Sequence, residues 1–248
     1  MRGEIEQRSK HAIAIKADIR DQEGFVKALA LHINALDVRS LRMEHVEQFV
    51  RWLDRELDFL SDEQAVLRHF RHFWPEEKAD GLREAVTEYR QLSVLVKRLE
   101  RAKEQVSSGE HSAENAIGIC EKALEQVERP FQKVLSQKDQ LESKCREFGM
   151  PSGWLKRGAE GGDAKEGGVA HVEQAALDLA SVLMGEMTVA IRRAQADADS
   201  DAVHKAMAEM LLVRLVRFAF RAHQLAGGFD ETCASRLEAV SQLARAVH

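Results

Sequence analysis

Proline, cysteine and tyrosine are all scarce in this sequence, and each scarcity narrows what the chain can be. Only three prolines, Pro75, Pro130 and Pro151, occur in 248 residues, so little interrupts long helices. Tyrosine occurs once. No run of β-branched residues alternates with polar ones, so nothing reads as a strand. Cys120, Cys145 and Cys233 are far apart and odd in number. Each falls at an apolar position of a helical pattern, which suits reduced core thiols in a reducing compartment better than a disulfide framework. No apolar stretch approaches the roughly 20 residues needed to span a bilayer. The opening MRGEIEQRSK has no apolar core of a secretory signal. Beginning in helical register, the chain reads as a fragment of a longer protein with no means of its own to insert into a membrane. An excess of one charge is lacking too. The 36 basic and 41 acidic residues leave a net charge of −5, so no global basic field would draw nucleic acid.

Catalytic signatures are equally sparse. The chain contains no glycine-rich phosphate loop, no GxSxG elbow and no HExxH sequence. His69 and His72 are spaced to share a helix face, but no third ligand stands near them in sequence. Carboxylates fall mostly in patterns of intrahelical ion pairs, as around Glu100 and Glu104. The expectation is a protein that is not an enzyme and carries neither metal nor cofactor.

What the sequence does have is helical periodicity. A first helix is expected from about Ile5 to Ala35, with Gly24 a weak point, followed by a break over Asp37 to Ser40 and an N-cap at Ser40. Val46, Phe49, Val50, Leu53, Leu57 and Leu60 then mark one face of a second helix. Ser61 and Gln64 read as a capping box opening a short helix through Phe70. Trp74-Pro75, followed by Glu76 and Glu77, sets another start, and Leu82, Val86, Tyr89, Leu92, Val96 and Leu99 carry that helix to a break at Ser107-Ser108-Gly109. The longest regular seam runs through Ile117, Cys120, Leu124, Val127, Phe131, Val134, Leu141, Cys145 and Phe148, interrupted only at Lys138. Such a seam demands a partner helix along its length. Pro130 is expected to kink it, and Gly149 to cap its end. A glycine-rich loop at 157–168 is expected to be flexible. Helices over about Val169 to Ala196, Asp201 to Ala226 and Asp230 to Val247 complete the chain. The fold expected is all-α: a single elongated bundle of about eight helices over 1–248, several of them very long.

One stretch departs from an ordinary amphipathic pattern. Between Leu211 and Gly228 stand Arg214, Arg217 and Arg221 with no acid among them. Leu211, Leu215, Phe218, Ala222 and Leu225 form a core seam, and Leu212, Val216 and Phe220 spread apolar character beyond it. Two readings fit: a central helix buried on two sides with arginines reaching neighbouring carboxylates, or a face that binds a partner through apolar anchors and arginine. Trp52, Trp74 and Trp154 carry the same ambiguity, Trp52 lying one residue off its helix's apolar stripe.

Four stretches go beyond composition: FVRWLDRELDFLSDEQAVLRHF, WPEEKADGLREAVTEY, CREFGMPSGWL and VRFAFRAHQLAGGFD, beginning at Phe49, Trp74, Cys145 and Val216. Their order and spacing resemble the C-terminal domain of the plant chloroplast unusual positioning protein family. The resemblance implies a helical architecture like the formin homology two domain, which dimerises and holds actin subunits. It implies assembly of actin filaments at the cytosolic face of the chloroplast outer envelope, for light-directed chloroplast movement. It also implies monomeric actin as partner, a homodimer, and profilin engaged through a proline-rich region absent from this sequence. On that reading the candidate actin contacts are Arg214, Arg217, Phe220, Arg221, Trp52, Trp74 and Lys78. The alternative is a cytoskeletal scaffold or microtubule-associated adaptor without nucleating activity, since related plant proteins sharing this domain are associated with microtubules.

Overall fold

The computed structural model describes residues 2–158, 167–196 and 202–247. Among the described residues are ten α-helices and one short 3-10 turn at Gly153–Leu155, with no strand, as the all-α expectation requires. The helices are α1 (Arg2–Asp21), α2 (Glu23–Ala35), α3 (Met43–Leu57), α4 (Glu63–His69), α5 (Glu76–Ser107), α6 (Ala113–Ser136), α7 (Lys138–Glu147), α8 (Val169–Ala196), α9 (Ala202–Ala226) and α10 (Glu231–Val247).

The described residues hold ten helices where about eight were expected, because two expected helices are each divided. The first breaks at Gln22, whose backbone (φ −106°, ψ 6°) leaves the helical region just before Gly24, a residue whose intrinsic helix preference only proline undercuts. The second breaks at Gln137, where the apolar seam meets the polar Lys138 and one N–H is shared between the carbonyls of Lys133 and Val134. Pro130 does not end its helix. α6 continues through it, and the carbonyl that loses its donor belongs to the exposed Gln126.

Several caps differ from expectation. The α4 N-cap is Asp62, whose carboxylate accepts the Ala65 N–H at 2.9 Å, so the cap lies one residue beyond Ser61. Arg42 occupies the α3 cap position without a side-chain capping bond, and Ser40 lies in the turn before it. Ser112 caps α6 by accepting from Asn115 N–H. Gly149 (φ +70°) and Gly227 (φ +74°) end α7 and α9 in the left-handed conformation. At these two ends Met150 N–H donates to Cys145 O at 2.8 Å and Gly228 N–H to His223 O at 3.1 Å. That is the pattern by which glycine satisfies a helix's last carbonyls.

The chain forms two compact units, Met1–Glu88 with Asp139–Ser152, and Tyr89–Lys138 with Gly153–His248. In the first, the core draws on Val26, Leu29 and Ile33 of α2, Val46, Val50, Leu53 and Leu57 of α3, Leu82 and Val86 of α5, and Leu141 and Cys145 of α7. Gly81 admits the Phe148 ring: a Cβ there would stand 2.7 Å from it. Val38 N–H also donates to Gly149 O at 2.9 Å, tying the α2–α3 connection to the end of α7.

In the second unit α8 is central, packing on α6, α9, α10 and the 3-10 turn. Its Val172, Ala176, Leu179, Ala180, Leu183 and Met184 are fully buried. Contrary to the expectation that no apolar stretch approaches a membrane span, Val169–Arg193 reach the length and hydropathy of one. Half of that window is buried within the unit, where α8 packs on α6, α9 and α10. The seam of α6 finds its partner in the same chain, with Ile117, Cys120, Leu124, Val127, Phe131 and Val134 fully buried and α6 packed on α8 and α9.

The described ends of the loop expected at 157–168 are held. Glu173, buried on α8, accepts from Arg157 Nε at 2.5 Å and from Gly158 N–H at 2.9 Å. Arg157 also donates to Leu225 O near the end of α9. Gly168 (φ +91°) lies so close beneath Trp154 that a Cβ would meet its carbonyl oxygen at 2.3 Å. The flexibility expected of positions 159–166 lies outside the described residues.

Candidate functional site

The candidate residues divide between the two units. In the first, Trp52 is half-buried on α3, with its ring 5.8 Å from His32 and 5.5 Å from Phe49. Trp74 is 6% exposed and forms a shared wall of two cavities, of about 350 and 540 Å³. Lys78 borders the larger cavity, but its ammonium donates to Leu36 O at 2.8 Å and Asn34 O at 3.3 Å. It therefore satisfies carbonyls at the C-terminal end of α2. Burial, foremost, pulls the Lys78 ammonium below its usual range, with Asp37 opposing that shift. These three side chains have clear packing roles. His69 and His72 are both exposed, edge-on to Phe70 and Phe73 respectively. Among the described residues no three of His, Cys, Asp or Glu converge as metal ligands would.

The remaining four lie on α9, and the structure separates them. Leu211, Leu212, Leu215, Phe218, Ala219, Ala222 and Leu225 are buried, forming the face that meets α6, α8 and α10. Arg214 stands on one flank and sends Nε and a terminal nitrogen to both oxygens of Glu121 on α6, at 3.2 and 2.6 Å. One heptad further on, Arg221 makes the same two-pronged contact with Glu128, both bonds being 2.8 Å. The pairs ascend together in both helices, so α6 and α9 run parallel where they meet. The planar guanidinium fork suits a carboxylate, and these bonds, foremost, raise both arginines above their usual pKa.

Arg217 is different. It is exposed and makes no ion pair or hydrogen bond among the described residues. At about 100° per residue, Met210, Val213, Arg217 and Phe220 fall within an arc of about 80° on the face opposite the core seam. Met210, Val213 and Phe220 are 46, 52 and 54% exposed, and Met207 extends the strip toward the start of the helix. The first reading of this stretch, arginines reaching neighbouring carboxylates, thus holds for part of it. Arg214 and Arg221 reach neighbouring carboxylates, while Arg217 and Phe220 sit on an exposed apolar strip. Leu212 belongs to the core, and Val216 is half-buried.

Met207, Met210 and Val213 were not picked out from sequence. Their signal was present, since they follow the period of Arg217 and Phe220, but the denser apolar seam masked it. Glu121 and Glu128 share the seven-residue spacing of Arg214 and Arg221; only the packing of α6 on α9 reveals the match.

A protein-family model described as IPGAL1-like, C-terminal domain, matches residues 82–247, and the chain belongs to that family. The matched region contains α9 entire, with Arg214, Arg217, Phe220 and Arg221, whereas Trp52, Trp74 and Lys78 precede it.

Proposed function

Starting from that family membership, we propose that this chain is an actin-binding helical module that promotes assembly of actin filaments. The finer family assignment rests on the four stretches that resemble the chloroplast unusual positioning proteins. With it come the chloroplast surface as the place of action, light-directed chloroplast movement as the process, and a formin-like dimer as the working form. The observation that carries the binding role is the outer strip of α9. Met210, Val213 and Phe220 are large, apolar and exposed, and an arginine unpaired among the described residues stands between them. Apolar anchors combined with arginine are the composition enriched where proteins bind proteins.

The mechanism is positional. Two copies, each holding an actin subunit, would raise the local concentration of subunits in filament-like geometry and reduce the entropic cost of nucleation. Bulk actin polymerisation with and without the chain and profilin tests this, with a concentration-dependent shortening of the lag as the expected result. An unchanged lag at every concentration sinks the nucleation reading. Co-sedimentation with microtubules but not actin would favour an adaptor role.

A further inference from the structure

Three arginines on α9 repeat at intervals of three and four, yet only two are satisfied within the fold among the described residues. Arg214 and Arg221 bind Glu121 and Glu128, which leaves them as struts between α6 and α9. Arg217 lies between them in sequence, about 40–60° around the helix from either, within an exposed strip of Met210, Val213 and Phe220. From Met210 to Phe220 the strip is about 15 Å long. It is a convex ridge on one helix, so the complementary surface is a groove. The anchor spacing is that of a helix laid into such a groove.

Covering this ridge with a purely apolar surface would bury a guanidinium without an acceptor, a cost that an opposing carboxylate removes. A second copy's ridge supplies no such group at its centre. Its positions 207, 210, 213, 217, 220 and 224 are Met, Met, Val, Arg, Phe and Gln. On α9 itself the one acid, Glu209, lies about 80° around the helix and about 12 Å along it from Arg217, and Glu121 and Glu128 of α6 are already taken by Arg214 and Arg221. Resting on the proposal of an actin-binding module, we infer that α9 is the inserted element of the complex. The partner presents an apolar groove about 15 Å long with a carboxylate near its middle, where Arg217 lands. Arg214 and Arg221 are not contacts.

The test uses the whole chain and monomeric actin as probe, with binding read by fluorescence titration and the chain's own mass by light scattering. Arg217→Glu and Phe220→Gln should each weaken actin binding on the order of 30-fold, as expected of central interface anchors. Arg217→Lys should recover much of the affinity. Leu31→Gln, at an exposed leucine on α2, should bind like the unmodified chain. Unchanged helicity and melting temperature in all four variants separate loss of contact from misfolding. If the unmodified chain binds actin and Arg217→Glu and Phe220→Gln bind equally well, this inference falls while the actin-binding proposal stands. If the unmodified chain does not bind actin, both fall. If Phe220→Gln turns a dimer into a monomer, the ridge is covered by a second copy and the inference is overturned.

Discussion

Arg214, Arg217 and Arg221 lie within about two turns of one helix, yet they face different surroundings and should answer mutation differently. Arg214 and Glu121 are each about one-third exposed, at 27 and 32%, so their bond is partly screened. A double-mutant cycle of Arg214→Ala and Glu121→Ala, read by denaturant unfolding, should give a coupling of about 0.5–1 kcal/mol. Arg217→Ala should change stability by less than about 0.5 kcal/mol, because the exposed side chain makes no ion pair or hydrogen bond among the described residues. The thiols allow a second prediction. Burial, foremost, pushes Cys120 and Cys233 up to about 12. Both should resist alkylation in the folded chain and react only as it unfolds. Because the unfolded thiols ionise near about 8.5, the unfolded state releases protons first as pH rises. Stability should therefore fall progressively between pH about 8.5 and 12. Cys120→Ala and Cys233→Ala should each flatten that decline in a pH series of unfolding curves.

At the scale of elements, helix ends and their anchors separate what local chemistry dictates from what packing dictates. Ser112→Ala removes the side-chain acceptor at the start of α6. It should cost about 1 kcal/mol in chemical denaturation. Arg157→Ala should cost more, about 3 kcal/mol, because it leaves the buried Glu173 carboxylate with the Gly158 N–H but without its cation. Arg157→Lys should recover only part, since an ammonium cannot reproduce the fork that spans Glu173 and Leu225 O. The seam of α6 and α7 was legible residue by residue, and so was the glycine cap at 149. The break at Gln137 was not. A polar residue within a seam signals a fault, but whether a helix bends, frays or divides there depends on what packs either side.

At the scale of the whole molecule, each unit has its own core, and damage should register first in the unit that carries it. Leu53 and Leu179 are completely buried in the first and second unit respectively. Leu53→Ala and Leu179→Ala should each cost about 2–5 kcal/mol. Hydrogen exchange followed by mass spectrometry should show protection lost first among α2, α3 and the start of α5 for the former. For the latter the loss should begin in α8, α9 and α10. Simultaneous, equal loss throughout the chain would mean that the units open as one.

Scarce proline, absent strand patterns and apolar residues at steps of three and four determined an all-helical chain, because local backbone preference and one-faced burial act within a single element. The same periodicity marked nearly every core position of α3, α6 and α9. Only the tertiary structure decided that α6 pairs with α8 and α9 and that two arginines are struts. It also decided which side of α9 stays uncovered among the described residues. Those outcomes depend on carboxylates ninety-three positions away in sequence. Periodicity shows that a helix has two faces; the neighbours packed against it determine which face remains available to a partner.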